Sequence, residues 1–183
     1  MTDRETLTKL LAERSLRRGE FVLASGRSSS VYIDARLTTM SPEGLALIGP
    51  LCLEQMRGLG WDPEAVGGLT LAADPIAYAI SYASHLRPPL VRAFTVRKEA
   101  KQHGTGRLIE GPLTQNDHVV IVEDVITTGA SVLRAAEAVR SFGAVVIGIL
   151  GLVDREEGGR EAIRDAGYDQ HCLVTVTELL AQH

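Results

Sequence analysis

The order of elements along the chain predicts an α/β fold: a doubly wound, mainly parallel sheet flanked by helices, with a small N-terminal hood. Three observations carry that prediction. Val119, Val120, Ile121 and Val122 form an unbroken β-branched run, the pattern of a parallel strand buried on both faces. Further apolar segments of strand length alternate with segments of helical period. Finally, Ser41 followed by Pro42 is a strong helix start, with Ser41 as N-cap and Pro42 at the first helical position.

From the N-terminus, residues 2–17 read as an amphipathic helix with Leu7, Leu10 and Leu11 on its face, ended by Gly19. Two short strands at 21–23 and 31–35 flank the turn SGRSSS and form the hood hairpin. The helix opened by Ser41 carries the apolar stripe Leu45, Ile48, Cys52 and Met56 and stops near Gly58. Then come a strand at 65–69, a helix at 75–83 with Asp74 as its N-cap, and a strand at 90–95. A polar loop, 97–111, precedes the central strand at 119–122. After it the chain reads as a helix with Val132, Ala136 and Val139 at helical spacing, a strand at 144–153, a helix at 159–166, a strand at 171–176 and a last helical turn.

At 183 residues and 45% hydrophobic content, the chain is long enough for one well-buried core and short for two domains, so a single domain over 1–183 is expected. Within it, 1–40 would form the N-terminal helix and hood, and 41–183 the core with its long loop. A net charge of −4 and a pI near 5.7 argue against a nucleic-acid surface. Cys52 and Cys172 sit in apolar settings without metal-ligand spacing, which implies reduced thiols and a reducing, cytoplasmic compartment. No stretch reaches the length of a membrane span, and the N-terminal residues lack the apolar region of a secretion signal.

Three segments carry chemistry. In the first, Glu123 and Asp124 follow the central strand, where open α/β sheets bind ligands, and two carboxylates can accept hydrogen bonds from vicinal hydroxyls. Thr127, Thr128, Gly129, Ala130 and Ser131 then open a helix whose free N–H groups and positive dipole end suit a phosphate. Together these residues point to a sugar phosphate. The second segment, RKEAKQHGTGRLIEG at 97–111, is too long and too cationic for an ordinary connection. Its composition fits either a solvated charged loop or a clamp on a diphosphate. The third is Asp154-Arg155-Glu156-Glu157-Gly158-Gly159, where Arg155 offers a planar fork to a carboxylate, although pairing with a neighbouring acid is the simpler reading of the residue alone.

The run 123–131 resembles the signature of the type I phosphoribosyltransferases, which use 5-phosphoribosyl 1-diphosphate (PRPP). Within that family, R-K-E-A-K-x-H-G is similar to the mobile catalytic loop of the orotate-using members, and D-R-x-x-G-G to their orotate-contacting arginine. The resemblance implies that Arg97, Lys98, Lys101 and His103 bind the diphosphate, with Lys101, Arg97, His103 and Asp124 as the catalytic set. PRPP would also contact Glu123, Asp124, Val125, Ile126, Thr127, Thr128, Gly129, Ala130 and Ser131. Orotate would meet Thr127 and Arg155, under a cover formed by Tyr32 and Ile33. It further implies Mg2+ held mainly through substrate and water, with no direct protein ligand, and a homodimer whose loop 97–111 is shared between subunits. No nucleic acid or membrane partner is implied. Two positions depart from the pattern: Ala24 and Ala72 stand where many members carry lysines. A purine or uracil phosphoribosyltransferase should lack the second and third motifs, and a nucleic-acid-binding regulator should carry a basic face.

Overall fold

The computed structural model describes residues 1–22, 28–99 and 108–182. In chain order its elements are α1 (Asp3–Ser15), β1 (Leu16–Val22), β2 (Ser28–Ile33), α2 (Arg36–Thr39), α3 (Pro42–Gly58), β3 (Ala65–Leu69), α4 (Asp74–Leu86), β4 (Arg92–Val96), β5 (Ile109–Glu110), β6 (His118–Ile126), α5 (Ala130–Phe142), β7 (Val145–Asp154), α6 (Gly159–Asp165), β8 (Gln170–Thr175) and α7 (Val176–Leu180). β1 and β2 form an antiparallel hairpin of their own, the hood. The remaining strands make a six-stranded sheet in the order β5-β4-β3-β6-β7-β8, parallel except for the β4–β5 pair at its edge.

The unbroken apolar run of β6 has a direct explanation in the layers. Val120 and Val122 face one core with Leu7, Leu11, Ile48, Met56 and Ile80, contributed by α1, α3 and α4. Val119 and Ile121 face the other, with Val132, Val139 and Ile163 from α5 and α6. A strand covered on both faces has no position at which a polar side chain could reach water, so alternation disappears. The expected α/β architecture with helices on both faces is therefore observed. Among the described residues no helix is long and apolar enough to cross a membrane.

Local signals held where the chemistry is local. Ser41 Oγ accepts from the Gly44 N–H at 3.1 Å and starts α3 directly before Pro42. Several boundaries differ. The first helix ends at Ser15, and Gly19 lies inside β1 instead of terminating the helix. Leu16 leaves the helix to pair with Ile33, while the Asp34 N–H donates to Ser15 O at 2.9 Å and joins the end of β2 to the end of α1. The strand expected at 31–35 spans Ser28–Ile33, and Asp34 with Ala35 leads into the short helix α2. Finally, β6 continues past Val122 to Ile126, because Val125 and Ile126 pair with Val153 and Asp154 of β7. Glu123 and Asp124 thus lie within β6, with Val125 and Ile126 still paired beyond them.

Candidate active site

At its carboxyl end β6 delivers two adjacent acids into unlike surroundings. Glu123 is 4% exposed, and burial, followed by the Asp124 charge beside it, pushes its carboxyl up to about 8. Asp124 is half-buried and also raised, chiefly by burial; its Oδ1 accepts from the Val125 N–H at 2.7 Å. Two carboxyls this close share the cost of ionising, and Glu123 retains its proton to the higher pH.

After β6 the chain turns through Thr127 and Thr128 to Gly129, which caps α5 with φ 82°. That left-handed conformation is strained for residues with a side chain, and a Cβ there would stand 3.0 Å from Ile163 Cγ1. Since glycine has no side chain to accept from the first-turn amides, the start of α5 has no side-chain cap among the described residues, which leaves donors at the positive end of its dipole. Those amides face a small pocket lined by Glu123 and residues 125–132, a shape and chemistry suited to one phosphate. Thr127, expected to open the helix, precedes it.

Beside it lies a larger cleft of about 260 Å³, which shares Glu123, Val125 and Ser131 with the first. Its walls are the hood residues Tyr32 and Ile33, the loop after β3 from Thr70 to Ala72, Asp124, and Lys98 at the start of the cationic segment. The cleft thus unites the hood, the acids and one of the expected diphosphate cations. Arg97 is half-exposed, 3.7 Å from Glu110, and its backbone N–H donates to Leu108 O at 2.8 Å. Lys98 O accepts from Arg134 Nη2 at 3.0 Å, tying the end of the described segment to α5. Lys101 and His103, and also Ala24, lie outside the described residues.

Arg155 takes a different place from the pocket walls. It is buried at the end of β7, its Nε donates to Glu157 Oε1 at 2.9 Å, and its Nη2 reaches Ser29 Oγ and Val31 O of the hood, each at 3.2 Å. The neighbouring-acid pairing that its sequence context offered is therefore present. Asp74 is not the N-cap of α4: Ala73 holds that position, and the Asp74 carboxylate accepts from Thr70 Oγ1 at 2.6 Å and Thr95 Oγ1 at 2.8 Å.

Two further cleft residues, Asp34 and Arg36, have no motif in the sequence. Arg36 makes a two-pronged ion pair with Asp34, at 2.8 and 3.1 Å, and that contact holds the Asp34 carboxyl below its ordinary value. The Arg36 charge also favours ionised Asp124. The spacing Asp-x-Arg directly after the hood strand is the one local signal of this pair. Among the described residues, no group of three or more His, Cys, Asp or Glu is placed to hold a metal ion.

The phosphoribosyl transferase domain family matches residues 54–170. The chain is 45% identical over 183 residues to the orotate phosphoribosyltransferase of Aquifex aeolicus, covering 98% of this chain and 99% of that one. It is 48% identical over 176 residues to the orotate phosphoribosyltransferase of Sorangium cellulosum, covering 95% and 91%. Among solved structures, that of Mycobacterium tuberculosis orotate phosphoribosyltransferase in complex with PRPP is similar with a TM-score of 0.82 and 38% identity, over 97% of this chain and 99% of that chain.

Proposed function

Given that the chain belongs to the orotate phosphoribosyltransferase family, we propose the following division of labour among its residues. The reaction is transfer of ribose 5-phosphate from PRPP to orotate, giving orotidine 5′-phosphate and diphosphate, a step of pyrimidine synthesis. The observation that carries the residue assignment is the continuity of the two pockets: at one strand end Glu123 and Val125 border both the start of α5 and the cleft beneath the hood, and Asp124 borders the cleft.

In this reading the 5′-phosphate sits on the turn 127–131, and Glu123 and Asp124 grip the ribose hydroxyls. Departure of diphosphate leaves oxocarbenium character on the anomeric carbon, which both acids face and which Asp124, the one that ionises at lower pH, screens. Arg97, Lys98, Lys101 and His103 neutralise the leaving group. Orotate lies beneath Tyr32 and Ile33, near Thr127, with Arg155 addressing its carboxylate. Fixing the phosphate at a distance from the reacting bond supplies binding energy that can be used for orientation.

Mg2+ is proposed as the cofactor. Diphosphate and ribose oxygens suit a hard cation, so with no direct ligand from the chain the ion would be held mainly through substrate and water. When bound, it supplies countercharge to the diphosphate. The chain is further proposed to act as a single cytoplasmic domain in a homodimer, with loop 97–111 serving the neighbour's site.

Mixing the protein with orotate, PRPP and Mg2+ while following orotate absorbance tests the reading. Orotate should be consumed in proportion to PRPP added, and uracil offered in its place should not be consumed. An enzyme that consumed uracil and left orotate untouched would overturn it.

A further inference from the structure

Arg155 is more heavily engaged than a substrate-facing fork would be. Its Nε donates to Glu157 Oε1 at 2.9 Å, and Nη2 lies 2.8 Å from the same oxygen. Nη2 also donates to Ser29 Oγ and Val31 O at 3.2 Å. Ser29 Oγ in turn donates to Val31 O at 2.8 Å, so the guanidinium closes a small polar ring with the hood strand. The Nε/Nη2 edge, the one best shaped for bidentate recognition of a carboxylate, is therefore satisfied inside the chain. Nη1 has no hydrogen bond among the described residues.

The loop that carries Glu157 is itself pinned. Glu156 sits at φ 57°, where residues with a side chain are uncommon, and its Oε2 accepts from Thr177 N–H and Oγ1 at 3.1 and 2.6 Å. Asp154 Oδ1 accepts from the Glu156 N–H at 2.8 Å. A backbone held away from its preferred region by contacts on both sides is a mark of a geometry kept for a purpose. Here that geometry sets the Glu157 carboxylate against a guanidinium that is 8% exposed.

We propose that Glu157 is a positioning residue for orotate binding: it orients Arg155, and through Arg155 the hood strand that carries Tyr32 and Ile33, leaving Nη1 as the group presented to the orotate carboxylate. The inference rests on the reading of Arg155 as the orotate-binding arginine. Among the described residues the hood shares no strand pairing with the six-stranded sheet, so a cross-link from the end of β7 to Ser29 and Val31 fixes the cover of the cleft relative to its floor. Planarity of the guanidinium does the rest: with Nε and Nη2 anchored, Nη1 cannot rotate independently. Without Glu157 the arginine remains charged but is held by Nη2 alone, through Ser29 Oγ and Val31 O, and the carboxylate of orotate must then bear part of the ordering cost.

The test uses Glu157→Ala, Glu157→Gln, Ser29→Ala and Arg155→Ala in the full chain, each checked by thermal unfolding. Glu157→Ala should raise the KM for orotate about tenfold, the loss expected for one hydrogen bond to a charged group, with kcat and the PRPP dissociation constant within about twofold. Glu157→Gln keeps an acceptor oxygen and should lose less. Ser29→Ala should move the orotate KM in the same direction by a smaller factor. In the Arg155→Ala background, Glu157→Ala should add less than twofold, since the two act in series. If Arg155→Ala leaves orotate binding unchanged, the reading of Arg155 itself fails. If Arg155→Ala weakens orotate but Glu157→Ala does not, or tightens it, the positioning role alone is overturned. Equal losses for orotate and PRPP would overturn it too, and Ser29→Ala still decides the matter if Glu157→Ala does not fold.

Discussion

The backbone N–H of Asp124 donates to the Glu123 carboxylate at 3.3 Å, so two neighbouring acids at one strand end are coupled through both charge and a hydrogen bond. Glu123 bears most of the burial, and its carboxyl is raised from the ordinary 4.5 to about 8. The folded protein therefore holds a proton there that the unfolded chain releases near 4.5. That contribution to stability is fully present below about 4.5 and is lost as pH rises through about 8. Thermal unfolding between pH 5 and 9 should show the wild type losing stability toward alkaline pH relative to Glu123→Gln, which cannot ionise. Parallel curves for the two proteins would sink the assignment.

Asp74 joins the loop after β3 to β4 by accepting from Thr70 and Thr95 at once. That loop lines the cleft through Thr70, Leu71 and Ala72. With no cationic side chain to contribute, the shape of its backbone is what it can offer to a phosphate. Asp74→Ala should cost about 1.5–3 kcal/mol in denaturant unfolding, as for loss of hydrogen bonds to a charged group, and should weaken PRPP binding. Asp74→Asn, which retains one acceptor oxygen, should lose less of both. Wild-type PRPP affinity in a destabilised Asp74→Ala protein would separate the loop from ligand binding.

How much of this was legible in the sequence depended on how local the cause was. The β6 run, the Ser41 cap and the glycine-ended turn at 129 are written in adjacent residues, and the fold follows from them. The extension of β6 over Glu123 and Asp124 was not legible, because it arises from pairing with Val153 and Asp154, residues far along the chain. The same is true of Asp74, whose carboxylate looks like a cap until Thr95 is brought beside it. β1 was seen only in its apolar end: Arg17, Arg18, Gly19 and Glu20 show no alternation, and the pairing shifts register between Arg18 and Phe21. Arg36 was hidden in a four-residue helix, too short for any periodicity to reveal. Arg155 with Glu157 was the reverse case, a local pair in plain view whose link to the hood required the structure.

Metal removal should separate catalysis from folding. Among the described residues no cluster of three potential ligands is present, so an ion brought mainly by PRPP should not stabilise the free protein. Chelation should abolish turnover, and Mg2+ should restore it, while the midpoint of thermal unfolding without PRPP stays unchanged. A chelator-induced drop in that midpoint would point to a resident ion held by the chain.

Lys101→Ala tests the cationic segment. If the ammonium neutralises charge that develops on departing diphosphate, kcat should fall by about 10² to 10³ with a smaller change in KM, as for loss of one transition-state donor. Near-normal kcat would remove Lys101 from the catalytic set.

Mixing two inactive variants tests whether the site is shared. If each subunit's Lys101 serves its neighbour while Asp124 serves its own, a dimer of one Lys101→Ala and one Asp124→Asn subunit places both lesions in one site and leaves the other intact. Unfolded together in equal amounts and refolded, the variants should pair at random. About half of the dimers would then be mixed, each with one working site, and roughly a quarter of wild-type activity should return. Each variant refolded alone provides the baseline. If Lys101 instead acts within its own subunit, every site carries one lesion whatever the pairing, and activity stays at the sum of the two baselines. Sizing the refolded mixture distinguishes that outcome from failure to dimerise: a monomer with no recovery would remove the dimer itself, whereas a dimer with no recovery would remove only the sharing of loop 97–111.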